Sequence, residues 1–284
     1  MSVSQLDSTM PSERPQRPAA RSAWRTGRIS ALGELLSPGR LVGTAIRLAI
    51  QIALVVFLWR ALYAHTSSIA GLTRDQAVDY AVLAVLATRV RGLDRDVSRD
   101  SVSWHVYMGT IVYWFLRPVP PRRYYLYRML GEQVYGLSWF ALGYAGCRIA
   151  GVLGPPASTS SAAAFAAALL LGQAIYYELM LSLDLMCFWA LRNDSAMQIL
   201  QFVQNLLSGA YAPLWYFPGW FIAMSAVLPF QGTLNVPLSL YAGRIAPSAA
   251  PGQLAVQAAW IAGLCLINRR LWRRAGDRVT SQGG

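Results

Sequence analysis

Five polar residues recur at helical spacing within an apolar stretch late in the chain: Gln198, Gln201, Gln204, Asn205 and Ser208. At about 100° per residue they fall within about 120° of one another, so a helix here carries an amide-rich face opposite an apolar one. Polar groups are costly in lipid and therefore face protein or a water-filled path. Two interpretations stay open: the amides line a translocation path, or they hydrogen-bond a partner helix.

Carboxylates occur in the preceding apolar stretch. Gln173 and Asp184 share one helical face there, and Glu178 is turned away by about 120°. Because an isolated ionised carboxylate is costly in apolar surroundings, we expect Glu178 to be protonated or paired with an arginine such as Arg148 or Arg60. A structural pair and a proton-coupling or substrate-contact role are both compatible with this position. Asp184 lies nearer the helix end, where we expect it to face the surface.

The sequence lacks several residue types and motifs on which enzyme active sites depend. All 25 basic residues are arginine, so the chain has neither the lysine of a Walker A loop nor one for a Schiff base. There is no G-x-S-x-G and no H-E-x-x-H motif. The few thiols and imidazoles have no metal-ligand spacing: Cys147, Cys187, Cys265, His65 and His105. We therefore expect no catalytic residues, no metal site and no cofactor bound by this chain.

The composition indicates a membrane protein. Of the 284 residues, 55% are hydrophobic and only 13% are charged, against about 25% charged in a typical soluble domain. A membrane-spanning helix needs about 20 apolar residues. The sequence predicts an all-α integral membrane protein with six transmembrane helices, at about 41–63, 76–90, 124–152, 161–186, 196–216 and 253–268.

The remaining segments fit around these spans. Residues 1–27 are rich in proline, serine and arginine, so we expect a disordered tail. Residues 29–36 have apolar residues at helical spacing and predict an interfacial helix, which opens a membrane domain over 28–274. The apolar piece at 220–229 is too short to cross a bilayer and predicts a re-entrant hairpin before the last span. A second tail is expected at 275–284.

The arginines predict the orientation. Twenty of the 25 precede the first span, lie in the loops after the second and fourth spans, or follow the last span. The positive-inside rule then puts both termini in the cytoplasm. The basic charge thus reflects topology, and we expect no nucleic-acid partner.

Short motifs follow one another in a characteristic order: FLWRALY at 57–63, MGTI at 108–111, FLRPVP at 115–120, GAYAP at 209–213, FPGW at 217–220 and LPF at 228–230. Together they resemble the permease subunits of type-two ATP-binding-cassette (ABC) exporters, in particular the compact bacterial subgroup linked to drug and antibiotic efflux. The resemblance covers about 28–274. It implies six spans with an interfacial elbow helix and an extracellular hairpin, here containing Pro213, Phe217, Pro218, Pro229 and Phe230.

The resemblance also implies a cytoplasmic coupling helix at about 94–118, which docks on a separate ATPase subunit. The matching positions are Arg95, Arg99, Gly109, Thr110, Arg117 and Pro118. Many relatives carry a glutamate just before the Gly-Thr pair, where this chain has Val106, Tyr107 and Met108. We expect Arg117 to substitute for that charged contact.

The function implied is export of an amphipathic or hydrophobic compound by two paired permeases, the same or different, with ATP and magnesium bound by the partner ATPase. One alternative is a stand-alone proton-coupled secondary transporter that uses Glu178. It predicts inverted repeats of the span pattern, and the two halves share no motif. A third interpretation is a non-transporting membrane anchor for a cytoplasmic complex.

Overall fold

The computed structural model describes residues 38–91, 101–116, 120–190 and 194–282. Several sequence-based predictions lie outside these residues: the tail at 1–27, the interfacial helix at 29–36, Arg95, Arg99, Arg117 and Pro118.

The described residues form ten α-helices joined by short turns. These are α1 Pro38–Leu62, α2 Arg74–Val90, α3 Val102–Tyr107, α4 Val112–Phe115, α5 Pro121–Ile149, α6 Thr159–Leu185, α7 Asp194–Leu207, α8 Gly219–Val227, α9 Asn235–Tyr241 and α10 Ala250–Gln282. A small antiparallel hairpin, which the sequence analysis did not predict, joins α1 to α2 through β1 Ser68–Ile69 and β2 Leu72–Thr73.

Among the described helices, three are long and apolar enough to cross a membrane: Leu41–Leu62, Thr159–Phe188 and Pro247–Asp277. They correspond to the predicted first, fourth and sixth spans. Helix α5 has the length of a span, with 29 residues, but arginines, tyrosines and glycines interrupt its apolar character. Helices α2 and α7 have 17 and 14 residues and are shorter than the about 20 that a full crossing needs.

The helical part of the predicted fifth span, 196–216, is shorter than expected. Helix α7 ends at Leu207, and Gly209 follows with a φ of 78° in the left-handed region that favours glycine. The chain then turns through a short 3₁₀ helix at Leu214–Tyr216. The apolar residues after Leu207 therefore belong to the turn and not to the helix.

Helix α6 is the central element of the bundle. It packs most extensively against α10, and next against α9. Helix α2 packs between α1 and α5, and most of its residues from Ala77 onward are buried. Its first turn is closed by a capping box, in which Thr73 and Gln76 each bond the other's backbone N–H.

The segment between α7 and α10 enters this bundle. Helix α8 matches the predicted apolar piece at 220–229, and a 3₁₀ turn at Gln231–Thr233 leads into α9. Every residue of α9 is buried, although the sequence analysis predicted no helix there. The segment from Pro213 to Tyr241 contains the residues of the predicted re-entrant hairpin and is called, after that prediction, the re-entrant segment below.

Candidate functional site

A buried arginine joins three helices to the re-entrant segment. Arg91 follows the last residue of α2 and is 7% exposed. Its guanidinium donates to Oδ1 of Asn205 on α7 at 3.1 Å and to Oγ1 of Thr233 at 2.9 Å. The same group lies over the ring of Tyr176 on α6, 4.9 Å from its centre. Arg91 thus holds α2, α6, α7 and the turn at Thr233 in one arrangement.

The predicted amide face of α7 is divided between the interior and the surface. Gln204 and Ser208 are fully buried, Gln201 and Asn205 are half-buried, and Gln198 is exposed. Gln204 donates its amide to Oγ1 of Thr233 at 3.4 Å. Two of the five residues, Gln204 and Asn205, therefore bond side chains elsewhere in this chain, whereas the half of the face toward Gln198 is open to its surroundings.

The motif that begins at Gly209 is explained by contacts with α2. The hydroxyl of Tyr80 lies 3.2 Å from the carbonyl oxygen of Gly209 and 3.2 Å from Oδ1 of Asn235, so its one hydrogen is shared between them. A Cβ atom at Gly209 would collide with this hydroxyl. The close approach therefore excludes any side chain at Gly209, independently of its positive φ.

A glycine and a glutamine fix the re-entrant segment against α6 and α10. A Cβ on Gly172 would lie 2.7 Å from the carbonyl oxygen of Gly232 and 2.8 Å from that of Thr233. Gln257 of α10 donates to the carbonyl oxygens of Ala168, at 2.9 Å, and Gly232, at 2.6 Å. The sequence analysis missed Gln257, although a buried amide inside the last span was a usable signal.

The residues predicted for the hairpin lie in the re-entrant segment. Pro213 is buried and precedes the 3₁₀ helix at Leu214–Tyr216, and Pro218 precedes α8. The ring of Phe217 stacks on Phe221, with centroids 4.6 Å apart. Pro229 follows α8, and the carbonyl oxygen of Phe230 accepts a hydrogen bond from Thr233 at 2.7 Å.

Further contacts tie this segment, and Arg244 just after it, to the residues between α1 and α2. The hydroxyls of Tyr216 and Tyr63 lie 2.6 Å apart. Arg244 donates to the carbonyl oxygens of Ala70 and Gly71 in the β1–β2 turn, at 3.2 and 3.1 Å.

Of the two options predicted for Glu178, protonation or an arginine partner, the arginine partner was wrong. Neither Arg148 nor Arg60 contacts it: Arg148 donates to the carbonyl oxygen of Leu153 at 2.8 Å, and Arg60 is exposed. The two carboxylate oxygens of Glu178 instead accept from α10, one from Asn268 at 2.7 Å and one from the Cys265 thiol at 3.1 Å. These bonds fasten α6 to α10. Gln173, on the same helix, is buried beside a cavity between α5, α6 and α10.

Not all arginines near the loop after the predicted second span are surface charges. Arg128 of α5 is 8% exposed and lies 3.5 Å from Glu132, which is 6% exposed and one helical turn away. Arg91 and Arg128 are therefore both buried, although both belong to the 20 arginines from which the orientation was predicted. Glu132 was missed, although opposite charges four residues apart were visible in the sequence.

Asp184 occupies an unexpected position. The sequence analysis placed it at the surface, but it is fully buried at the end of α6. Its carboxylate accepts the backbone N–H groups of Val102, at 2.9 Å, and Ser103, at 3.2 Å, at the start of α3. The first turn of a helix leaves such groups without intrahelical partners, and a negative charge is favoured there. Asp184 therefore anchors α3 to α6.

Helices α3 and α4 form the described part of the predicted coupling helix. Gly109, with a φ of 70°, ends α3, and Oγ1 of Thr110 lies 2.7 Å from Nδ1 of His105. Trp114 is buried against Tyr124 and Tyr125 of α5. The outer face of this pair carries large exposed side chains: Trp104, Tyr107, Met108, Val112, Tyr113 and Leu116. The six residues are called the α3–α4 surface below.

These features define an all-helical membrane protein with an internal polar network and an apolar surface at one end. The chain belongs to the ABC-2 family: the family model described as ABC-2 family transporter protein matches residues 49–283. It is therefore a membrane permease subunit of an ABC transporter; permeases of this family are transport subunits that are not themselves catalytic, and the family implies an ABC ATPase as a partner. No curated protein and no solved structure gives a significant match.

Proposed function

We propose that this chain is the permease of an ABC exporter that moves an amphipathic or hydrophobic compound outward. ATP and magnesium are bound by a separate cytoplasmic ATPase subunit, because a chain without lysine cannot form a Walker A loop. Membership of the ABC-2 family supports the proposal that transport and ATP hydrolysis reside on different subunits. In this proposal the helices form six spans of a bacterial plasma membrane, with both termini and the α3–α4 surface in the cytoplasm.

The observation that carries the proposal is the anchoring of α3 by Asp184. A movement of α3 and α4, imposed by a docked ATPase, passes directly to α6 through the two hydrogen bonds from Val102 and Ser103. Helix α6 in turn packs on α9 and α10, so the movement reaches the re-entrant segment. These contacts support a mechanical connection from the proposed docking surface to the interior of the bundle.

The docking contact that we propose is largely apolar. Tyr113 is 65% exposed, Tyr107 is 60% and Met108 is 53%. Aromatic and methionine side chains are enriched at protein interfaces. Tyr107 and Met108 lie just before the Gly-Thr pair, where the family resemblance implies a glutamate in many relatives. In this proposal their apolar burial acts beside the contact expected from Arg117. The proposed contact with the ATPase also includes the predicted coupling residues Arg95, Arg99, Arg117 and Pro118.

The translocation path is proposed to lie between two permease copies, identical or related. The exposed and half-buried part of the α7 amide face, Gln198 and Gln201, is the part that a second copy or a passing compound could reach. Exposed apolar residues on the same helix, Ile199 at 64% and Phe202 at 58%, would pack against that copy or lipid. The proton-coupled alternative is not favoured, because both oxygens of Glu178 already bond α10.

The docking proposal is tested with Tyr113→Asp. A charge placed on a contact surface must be desolvated there without a partner, so we expect at least about a tenfold loss of co-purified ATPase, equivalent to about 1.4 kcal/mol. The measurement is the amount of cognate ATPase retained on the affinity-purified permease. Thr66→Asp is the control, since Thr66 is exposed in the turn after α1, at the opposite end of the bundle. Equal retention by both variants would contradict this docking surface.

A further inference from the structure

A cavity of about 440 Å³ lies between α5, α6 and α10. This volume falls within the about 300–1,000 Å³ of small-molecule sites. Its walls are mostly apolar and include Leu130, Val134, Leu170 and Ile261. The first three of these side chains are 54%, 56% and 55% exposed, so the cavity opens on the outer surface of the bundle. In a membrane that surface meets the acyl chains of the bilayer.

Within the part of the chain that the structure describes, the buried amide of Gln173 lines this cavity without a hydrogen-bond partner. Gln173 is only 3% exposed, and among the described residues neither its amide nitrogen nor its amide oxygen has a hydrogen-bond partner. Leaving such a group unpaired costs about 1–3 kcal/mol, so an unused buried amide needs an explanation.

Three other polar residues line the cavity: Gln133, Tyr177 and Glu178. The two carboxylate oxygens of Glu178 are already engaged, since they accept from Asn268 and Cys265. Gln133 is half-buried, so Gln173 is the fully buried amide with unused hydrogen-bonding capacity. A primary amide offers one donor group and one acceptor, so it is complemented by a group that also offers both.

We propose that this cavity binds an amphipathic molecule with an apolar body and a neutral head group, such as a carboxamide, that both donates and accepts hydrogen bonds. The apolar body lies against the leucine and valine side chains, and the head pairs with the Gln173 amide. The walls come from α5, α6 and α10, so this site is separate from the amide face of α7. The ligand enters from the bilayer. It is either a compound dissolved in the membrane or a membrane lipid with the same head-group chemistry.

The proposal is tested by photolabelling the purified chain in nanodiscs of phosphatidylcholine and phosphatidylglycerol. One probe is a long-chain carboxamide bearing a diazirine, and the other is the same chain ending in a methyl group. We expect the carboxamide to label peptides of α5 and α6. Gln173→Leu should lower that labelling about tenfold, since the variant keeps an apolar wall but removes both hydrogen bonds. Labelling by the hydrocarbon probe should be unchanged in this variant.

Ala174→Phe supplies a second variant, because Ala174 lines the cavity and a larger side chain fills it. Both probes should lose labelling. The matched control is Ala166→Phe, which places the same side chain at an exposed position of α6 that does not line the cavity. Labelling that is the same in the wild-type chain, Gln173→Leu and Ala174→Phe would overturn the proposal.

Native mass spectrometry of the protein extracted from its own membrane distinguishes the two sources. A co-purifying lipid that is lost in Ala174→Phe identifies a membrane lipid as the occupant. Probe labelling without such a lipid identifies a free membrane-dissolved compound. Both results support the site. None of these measurements uses the ATPase, so the failure of this site would leave the proposed export function standing, and the reverse also holds.

Discussion

Single buried polar residues connect distant parts of this chain. Asp184 and Arg91 show why such connections were hard to predict. The partners of Asp184 are backbone N–H groups 82 and 81 residues earlier in the chain, and one partner of Arg91 is 142 residues away. A sequence pattern reports the face of a helix on which a residue lies, but not which distant backbone group it meets. The same limit explains why Glu178 was assigned an arginine and has instead Asn268 and Cys265.

Asp184→Asn tests the anchoring of α3. The amide keeps one acceptor oxygen and replaces the other with a donor, so one of the two backbone N–H groups loses its partner and the negative charge is removed. We expect the free energy of unfolding in detergent to fall by about 1–3 kcal/mol. Asp75→Asn is the control: Asp75 is 83% exposed and pairs with exposed Arg74, so a change within about 0.5 kcal/mol is expected. Equal losses in the two variants would show that the anchor adds no stability.

At the scale of elements, long apolar helices were predicted best. The predicted fourth span, 161–186, differs from α6, Thr159–Leu185, by at most two residues at each end. The third, 124–152, lies within three residues of α5 at both ends. Helix α9 was not predicted, because tertiary contacts form it. Helix α9 contains Pro237 and three polar or aromatic positions, a composition without a helical signal, and it is held by burial on all sides.

Gly172→Ala tests the packing of the re-entrant segment on α6. The new methyl group would lie within 2.8 Å of two backbone oxygens, so the segment must move outward. We expect a loss of about 1–3 kcal/mol in the free energy of unfolding. Gly43→Ala in α1 is the matched control, because no atom lies within 4 Å of its added Cβ and alanine favours a helix. The close contact would be refuted by a Gly172→Ala chain that is as stable as the Gly43→Ala chain.

At the scale of the whole molecule, composition and motif order were sufficient to predict an all-helical membrane protein of the ABC-2 permease type, and the family match confirms it. The distribution of arginines was a less direct signal of membrane orientation than their number on one side suggested. Arg91 and Arg128 are buried in side-chain contacts, so they stabilise the fold in addition to any part in orientation. The number of spans and their orientation stay predictions, which rest on the apolar stretches and on the arginine distribution.

The central claim is that transport by this chain is driven by ATP hydrolysis on another subunit. The most direct measurement is efflux of a fluorescent amphipathic dye in vesicles that contain the permease with or without its cognate ATPase. We predict efflux that needs the ATPase and ATP, does not need a proton gradient, and persists in Glu178→Gln. Efflux driven by a proton gradient without the ATPase, and abolished by Glu178→Gln, would contradict the claim.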